Sequence, residues 1–113
     1  MKKLQGAGLA LAASLALGAC GSMQLGREFD LQSFNDKVQR GATTKVDVRI
    51  WLGAPASTGV SVESNGDRFE EWTYYRGTGS LPEMSDAKLK MLRIKFDQQG
   101  VVRAYEWSGQ SGQ

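Results

Sequence analysis

The sequence predicts an α+β domain, two N-terminal helices packed on a three- to four-stranded antiparallel meander sheet. Three observations predict it. Apolar residues recur at helical spacing between residues 31 and 52, and glycines stand where helices would stop. From residue 57 onward the apolar period drops to two, the spacing of a half-buried strand. Turn signals, Asn65-Gly66-Asp67 and Asp97-Gln98-Gln99-Gly100, separate the alternating runs at the short intervals that adjacent antiparallel strands need.

The first helix rests on Leu31, Phe34 and Val38, spaced i, i+3 and i+7 as one narrow stripe, with Gly41 as its stop. The second lies in GATTKVDVRIWLGAP. Thr44 is a candidate N-cap, and Asp47 three residues on completes a capping box and favours the positive helix end. Gly53 ends this helix and Pro55 prevents its resumption. Val48, Trp51 and Leu52 share one side of it, while Val46 and Ile50 lie nearly opposite. A helix apolar on two sides needs two neighbours. The sheet and the first helix would supply both; a partner protein covering one side is the sharper alternative.

The strands follow in order. Val60 and Val62 alternate in STGVSVES before the Asn65-Gly66-Asp67 turn. In RFEEWTYYR, Trp72 and Tyr74 point one way with Glu70, and Phe69, Glu71, Thr73 and Tyr75 point the other. Residues 77–87, GTGSLPEMSDA, read as a loop long enough to be mobile. LKMLRIKF places Leu92, Ile94 and Phe96 opposite Met91, Arg93 and Lys95, and VVRAYEW follows the DQQG turn. Glu71 can pair across strands with Arg93 or Lys95, and Arg103 is a further candidate, as solvated surface pairs contributing about a few tenths of a kcal/mol each.

Ahead of the domain, LALGACGS holds the only cysteine of the 113-residue chain. Lys2 and Lys3 form a positive n-region, and Leu4 to Ala19 form a mostly apolar stretch, short of the roughly 20 residues needed to span a bilayer but suited to a signal peptide. Leu17, Gly18 and Ala19 put small side chains before Cys20, and the string resembles the bacterial lipobox. The resemblance implies a signal peptide over 1–19, lipidation at Cys20 and a lipidated tether over 20–28. An ordinary secretory signal that leaves a free thiol is the alternative. Three acyl chains on Cys20 would make a second membrane-binding surface unnecessary. Gly21 is not the aspartate that retains many lipoproteins in the inner membrane, which implies the periplasmic face of the outer membrane. Loss of Lys2 and Lys3 cancels the net charge of +2, so the rest of the chain is a poor match for nucleic acid or for an electrostatic grip on anionic lipid.

The order of motifs, G-x-T-T, L-G-x-P, W-x-Y and F-D-x-x-G-x-V, resembles the SmpA/OmlA (BamE-like) family of small outer-membrane lipoproteins. The matching residues are Gly41, Thr43, Thr44, Val48, Leu52, Gly53, Pro55, Trp72, Tyr74, Phe96, Asp97, Gly100 and Val102. The family implies an ααβββ fold like one repeat of the β-lactamase-inhibitor proteins, here over residues 29–108 with a flexible tail at 109–113. It also implies a non-catalytic adaptor in outer-membrane protein assembly and envelope integrity, with components of the β-barrel assembly machinery as partners. The family's extended segment before the first helix is shorter here, and only Asp30, Leu31 and Gln32 faintly resemble it.

Catalysis finds few residues to use. Histidine is absent, and the only thiol would be acylated. Glu70 and Glu71, adjacent in a strand, face opposite ways. No metal-ligand spacing and no phosphate-binding glycine loop stand in the sequence, so it assigns no catalytic residue, metal, cofactor or small-molecule substrate. A second functional reading is a periplasmic binding or enzyme-inhibitor lipoprotein. Trp51, Tyr74, Tyr75, Arg76, Tyr105 and Trp107 have the composition of interface hot spots, with packing in the core or on the sheet face as the structural alternative.

Overall fold

A computed structural model describes residues 21–109 of the chain. The signal segment, Cys20 and the last residues of the tail lie outside the described residues. The elements run β1 (Ser22–Gly26), α1 (Leu31–Lys37), α2 (Lys45–Leu52), β2 (Ser57–Val62), β3 (Arg68–Ser80), β4 (Lys88–Phe96) and β5 (Val102–Ser108).

This overturns the expected arrangement of two N-terminal helices on a meander. The molecule is mostly one antiparallel sheet of five strands, and its two short helices lie between β1 and β2. The cause is the length of β3. Its 13 residues outrun the six of β2, which pair only as far as Thr73. A strand edge buried or left without partners is costly, because each residue carries one donor and one acceptor. Residues 22–26, read from sequence as part of a tether, supply the missing partner: Ser22 pairs with Ser80, Gln24 with Thr78 and Gly26 with Arg76. The glycines that made residues 77–80 read as loop allow the close approach. A Cβ built on Gly77 would already touch the side chains of Leu25 and Leu89 at 3.6 Å. The connection after β3 therefore shrinks to residues 81–87.

The helices are placed by their caps. Asp30 accepts a hydrogen bond from the Ser33 amide at 2.9 Å, starting α1, and the chain turns extended at Val38. At α2 the capping box is present in full: Thr44 Oγ1 accepts from the Asp47 amide, and Asp47 accepts from the Thr44 amide at 3.0 Å. Gly53 ends α2 at φ 82°, a region that penalises any residue with a Cβ. These boundaries turn Leu31, Phe34 and Val48 onto the sheet, where they meet Trp72, Tyr74, Leu92, Ile94, Phe96 and Val102, all buried. Aromatic edges lock the layer: Trp72 lies 4.8 Å from Phe96 and Phe34 lies 5.2 Å from Tyr105, centroid to centroid.

The segment between the helices is tied to the start of β5. Gly41 donates to the Val102 carbonyl at 2.8 Å, Val102 donates back to Thr43 at 2.8 Å, and Lys45 donates to Gly100 at 2.9 Å. Thr43 is itself buried, its hydroxyl accepting from the Gln39 amide. Asp97 closes the β4–β5 turn by accepting from the amides of Gln99 and Val101 and from Arg103 Nε at 2.7 Å. Because Phe34 is the fully buried contact between α1 and the sheet, Phe34→Ala should cost about 3–5 kcal/mol. Urea unfolding checks this; a loss below about 1 kcal/mol would mean that α1 does not hold the core.

Candidate interaction surface

Side chains directly opposite one another on neighbouring strands share a face. Trp72, Tyr74, Arg76, Leu92, Ile94, Tyr105 and Trp107 therefore share the face that the helices cover, and Tyr75 lies on the far face. The six residues chosen from sequence are thus divided. Tyr74 is buried, and Trp51 packs against the core with Lys37 Nζ 5.6 Å from its ring centre. Tyr105 is half-buried under Phe34. Trp107 is exposed near the end of β5, and Arg76 is half-buried with its Nε lacking a hydrogen-bond partner among the described residues.

Tyr74 is a latch. Its hydroxyl donates to the Gly53 carbonyl at 2.8 Å, satisfying the end of α2 from the middle of β3. Burial pushes its pKa from 10.0 up to about 12, with the nearby Arg49 charge acting weakly the other way. The other end of α2 is held by charge. Lys45 pairs with Glu70, and Trp72 Nε1 donates to the same carboxylate at 2.7 Å. The Lys45 hydrogen bond, then that of Trp72, holds Glu70 below its usual 4.5. Arg49 lies 5.7 Å over the Trp72 ring, so one side of α2 is ionic, one is core, and a third remains.

That third side is the ridge of Val46 and Ile50, 66% and 75% exposed. Neither the sheet nor α1 covers it. A second apolar surface occupies the far face of the sheet, where Met23, Leu25 and Leu89 are exposed around Gly77 and Gly79. Sequence reading missed this surface, together with buried Phe29. The signal was there in Met23 and Leu25, two residues apart, and in Leu89 and Met91, but it needed β1 to be recognised as a strand. Of the outer charges, Glu71 pairs with Arg93 as expected, at 3.4 Å; Arg93 also reaches Glu106 at 2.7 Å, while Lys95 takes Glu63 and Arg103 takes Asp97.

Open grooves of about 250 and 380 Å³ flank β2 and β3, lined in part by Tyr74 and Tyr75 and by Lys45 and Glu70 respectively. Lys45, Glu70 and Tyr74 in these linings are already used in the latches. Among the described residues no group of three or more His, Cys, Asp or Glu could hold a metal ion, and no helix is long and apolar enough to cross a membrane. Compared with known proteins, the chain matches no family model, no curated protein and no solved structure.

The raised Tyr74 pKa gives an alkaline test. Its contribution to stability is complete below pH 10 and is lost as pH rises through about 12. Tyr74→Phe should lose about 1 kcal/mol at neutral pH and should flatten the fall in stability across that alkaline window. A variant whose alkaline fall equals that of the parent would show that Tyr74 is not the group responsible.

Proposed function

We propose that this chain is a lipid-anchored, non-catalytic adaptor on the periplasmic face of the outer membrane, of the SmpA/OmlA kind, supporting β-barrel assembly and envelope integrity. The lipobox-like LALGACGS places Cys20 immediately ahead of the folded part. The motif residues support the family reading by their interdependence: Thr44 caps α2, Gly53 ends it, Tyr74 latches that end, and Asp97 and Val102 fix the return to β5. These residues are committed to holding the fold. Recognition must then use what the scaffold leaves outside.

The observation that carries the adaptor reading is the exposed Val46–Ile50 ridge on a helix otherwise pinned by core and charge. Aliphatic side chains standing together on a fixed helix suit a groove on a protein partner, in the manner of a helix-in-groove contact. The hot-spot set chosen from sequence supports an inhibitor surface less well, because its members divide between core, helix face and far face.

A photocrosslinker in place of Ile50 in intact cells tests the proposal. It should capture components of the barrel-assembly machinery, and Val46→Asp should abolish the capture while changing stability by no more than about 0.5 kcal/mol. Capture of a soluble hydrolase would replace the adaptor reading with an inhibitor. Unchanged capture of barrel-assembly components by Val46→Asp would remove the ridge from the account.

A further inference from the structure

We infer that the far face of the sheet, at its β1 end, is a second membrane contact that lies against the lipid surface holding Cys20 and fixes the domain's orientation there; this rests on Cys20 being lipidated as proposed above. The surface is built from the strands upward. Met23 is registered with Gly79, and Leu25 with Gly77, which is registered in turn with Leu89; the next pair along the same face is Tyr75 with Met91. Gly77 and Gly79 contribute no side chain. Leu25 and Leu89 close over the first and the Met84 thioether over the second, so both glycines are buried beneath side chains that themselves face outward. The result is one continuous apolar surface, with Leu25 57% and Leu89 55% exposed.

The reverse of the same three strands is different. There Gln24 is registered with Thr78 and Lys88, and Gly26 with Arg76 and Lys90. Lys90 is held by Glu28 and by the Phe29 carbonyl. One end of the sheet is therefore apolar on one side and polar on the other, as in a segment that lies along an interface.

The position of Cys20 selects the occupant. Three peptide steps separate Cys20 from Met23, a span of at most about 11 Å. The polar zone on each side of a bilayer is itself about 5–8 Å deep. Acyl chains on Cys20 thus hold β1 at the membrane surface, and β1 is hydrogen-bonded into the sheet rather than hanging from it. The domain can meet the lipid with its lysine side or its methionine and leucine side, and only the second gains by leaving water. Six residues bring the chain from Leu25 to Leu31, so α1 and α2 fall on the opposite side of the sheet, facing the periplasm.

The test uses the full chain, purified with its N-terminal modification and placed in vesicles of phosphatidylethanolamine and phosphatidylglycerol. The mass of the N-terminal peptide is read first. An unmodified Cys20 ends the lipoprotein reading, and this inference with it. With Cys20 acylated, an engineered cysteine is the only thiol to label. L25C, L89C and I50C each receive an environment-sensitive dye, and spin-labelled lipid is included in the vesicles. Dyes at 25 and 89 should shift to the blue and lose fluorescence to the quencher, while the dye at 50 should not. Equal response at all three positions would overturn the assigned orientation while leaving lipidation standing. Shielding at 25 and 89 without quenching, which fades when protein is diluted in lipid, would mean that a second copy covers this face and would also overturn the inference. These positions are exposed, and M23C repeats the readout should either leucine variant fail to fold.

Discussion

The continuity of β3 is the constraint on which the rest of the structure depends. Its 13 residues pair with β4 along one edge and with β2 and then β1 along the other. Shorten it at Arg76, and β1 has nothing to pair with. The core side chains Trp72 and Tyr74 sit in its middle, so the same strand also receives both helices. Much of what precedes β2 in the chain is fixed by reference to β3: Tyr74 holds the end of α2, Glu70 holds its start, and Phe29 lies against Tyr74 at 5.7 Å, while the segment between the helices is tied to β5.

This arrangement separates the residues that make the domain from those free to do something with it. The threonine, glycine and aspartate motifs are consumed by caps, turns and cross-links, where backbone donors and acceptors would otherwise be unsatisfied. What remains includes apolar surface on both sides of the sheet, besides Val60 and Val62 on β2 and Trp107 near the end of β5. The Val46–Ile50 ridge lies on the helix side, and the Leu25–Leu89 surface lies on the other side of the sheet. With the proposed lipid on Cys20 next to one face and a helix ridge on the other, such a layer would suit a protein that stands on a membrane and holds something away from it.

Much of this was legible in the sequence. The α2 boundaries followed from Thr44, Asp47 and Gly53, because caps act locally and leave a fixed spacing. The faces of β3 and β4 followed from alternation around Trp72, Tyr74, Leu92 and Ile94. The fold class did not follow. Pairing of β1 with β3 joins residues fifty or more positions apart, and a five-residue strand that is exposed throughout carries only the brief alternation of Met23 and Leu25 to announce it. Gly77 and Gly79 then argued for a loop on propensity, whereas in the sheet their missing side chains make room for neighbours. The hot-spot reading failed to form a single patch for a related reason. Tyrosine and tryptophan are as useful in a small core as at an interface, and composition does not say which face of a strand a residue will take until the register is known.

The most direct measurement is hydrogen exchange at the two amides that tie the β1 region to β3. Arg27 donates to the Tyr75 carbonyl at 3.1 Å and Leu81 donates to the Gly21 carbonyl at 2.7 Å, bracketing β1 at its two ends. If β1 is a strand of the sheet, both amides exchange far more slowly than in a free peptide, and the amides along β3 from Arg76 to Ser80 are protected with them. If both exchange at the free-peptide rate while β4 and β5 stay protected, then residues 21–28 are a tether after all. The β3 edge beyond Thr73 would then have no partner strand, and the apolar face assigned to the membrane would lose Met23 and Leu25.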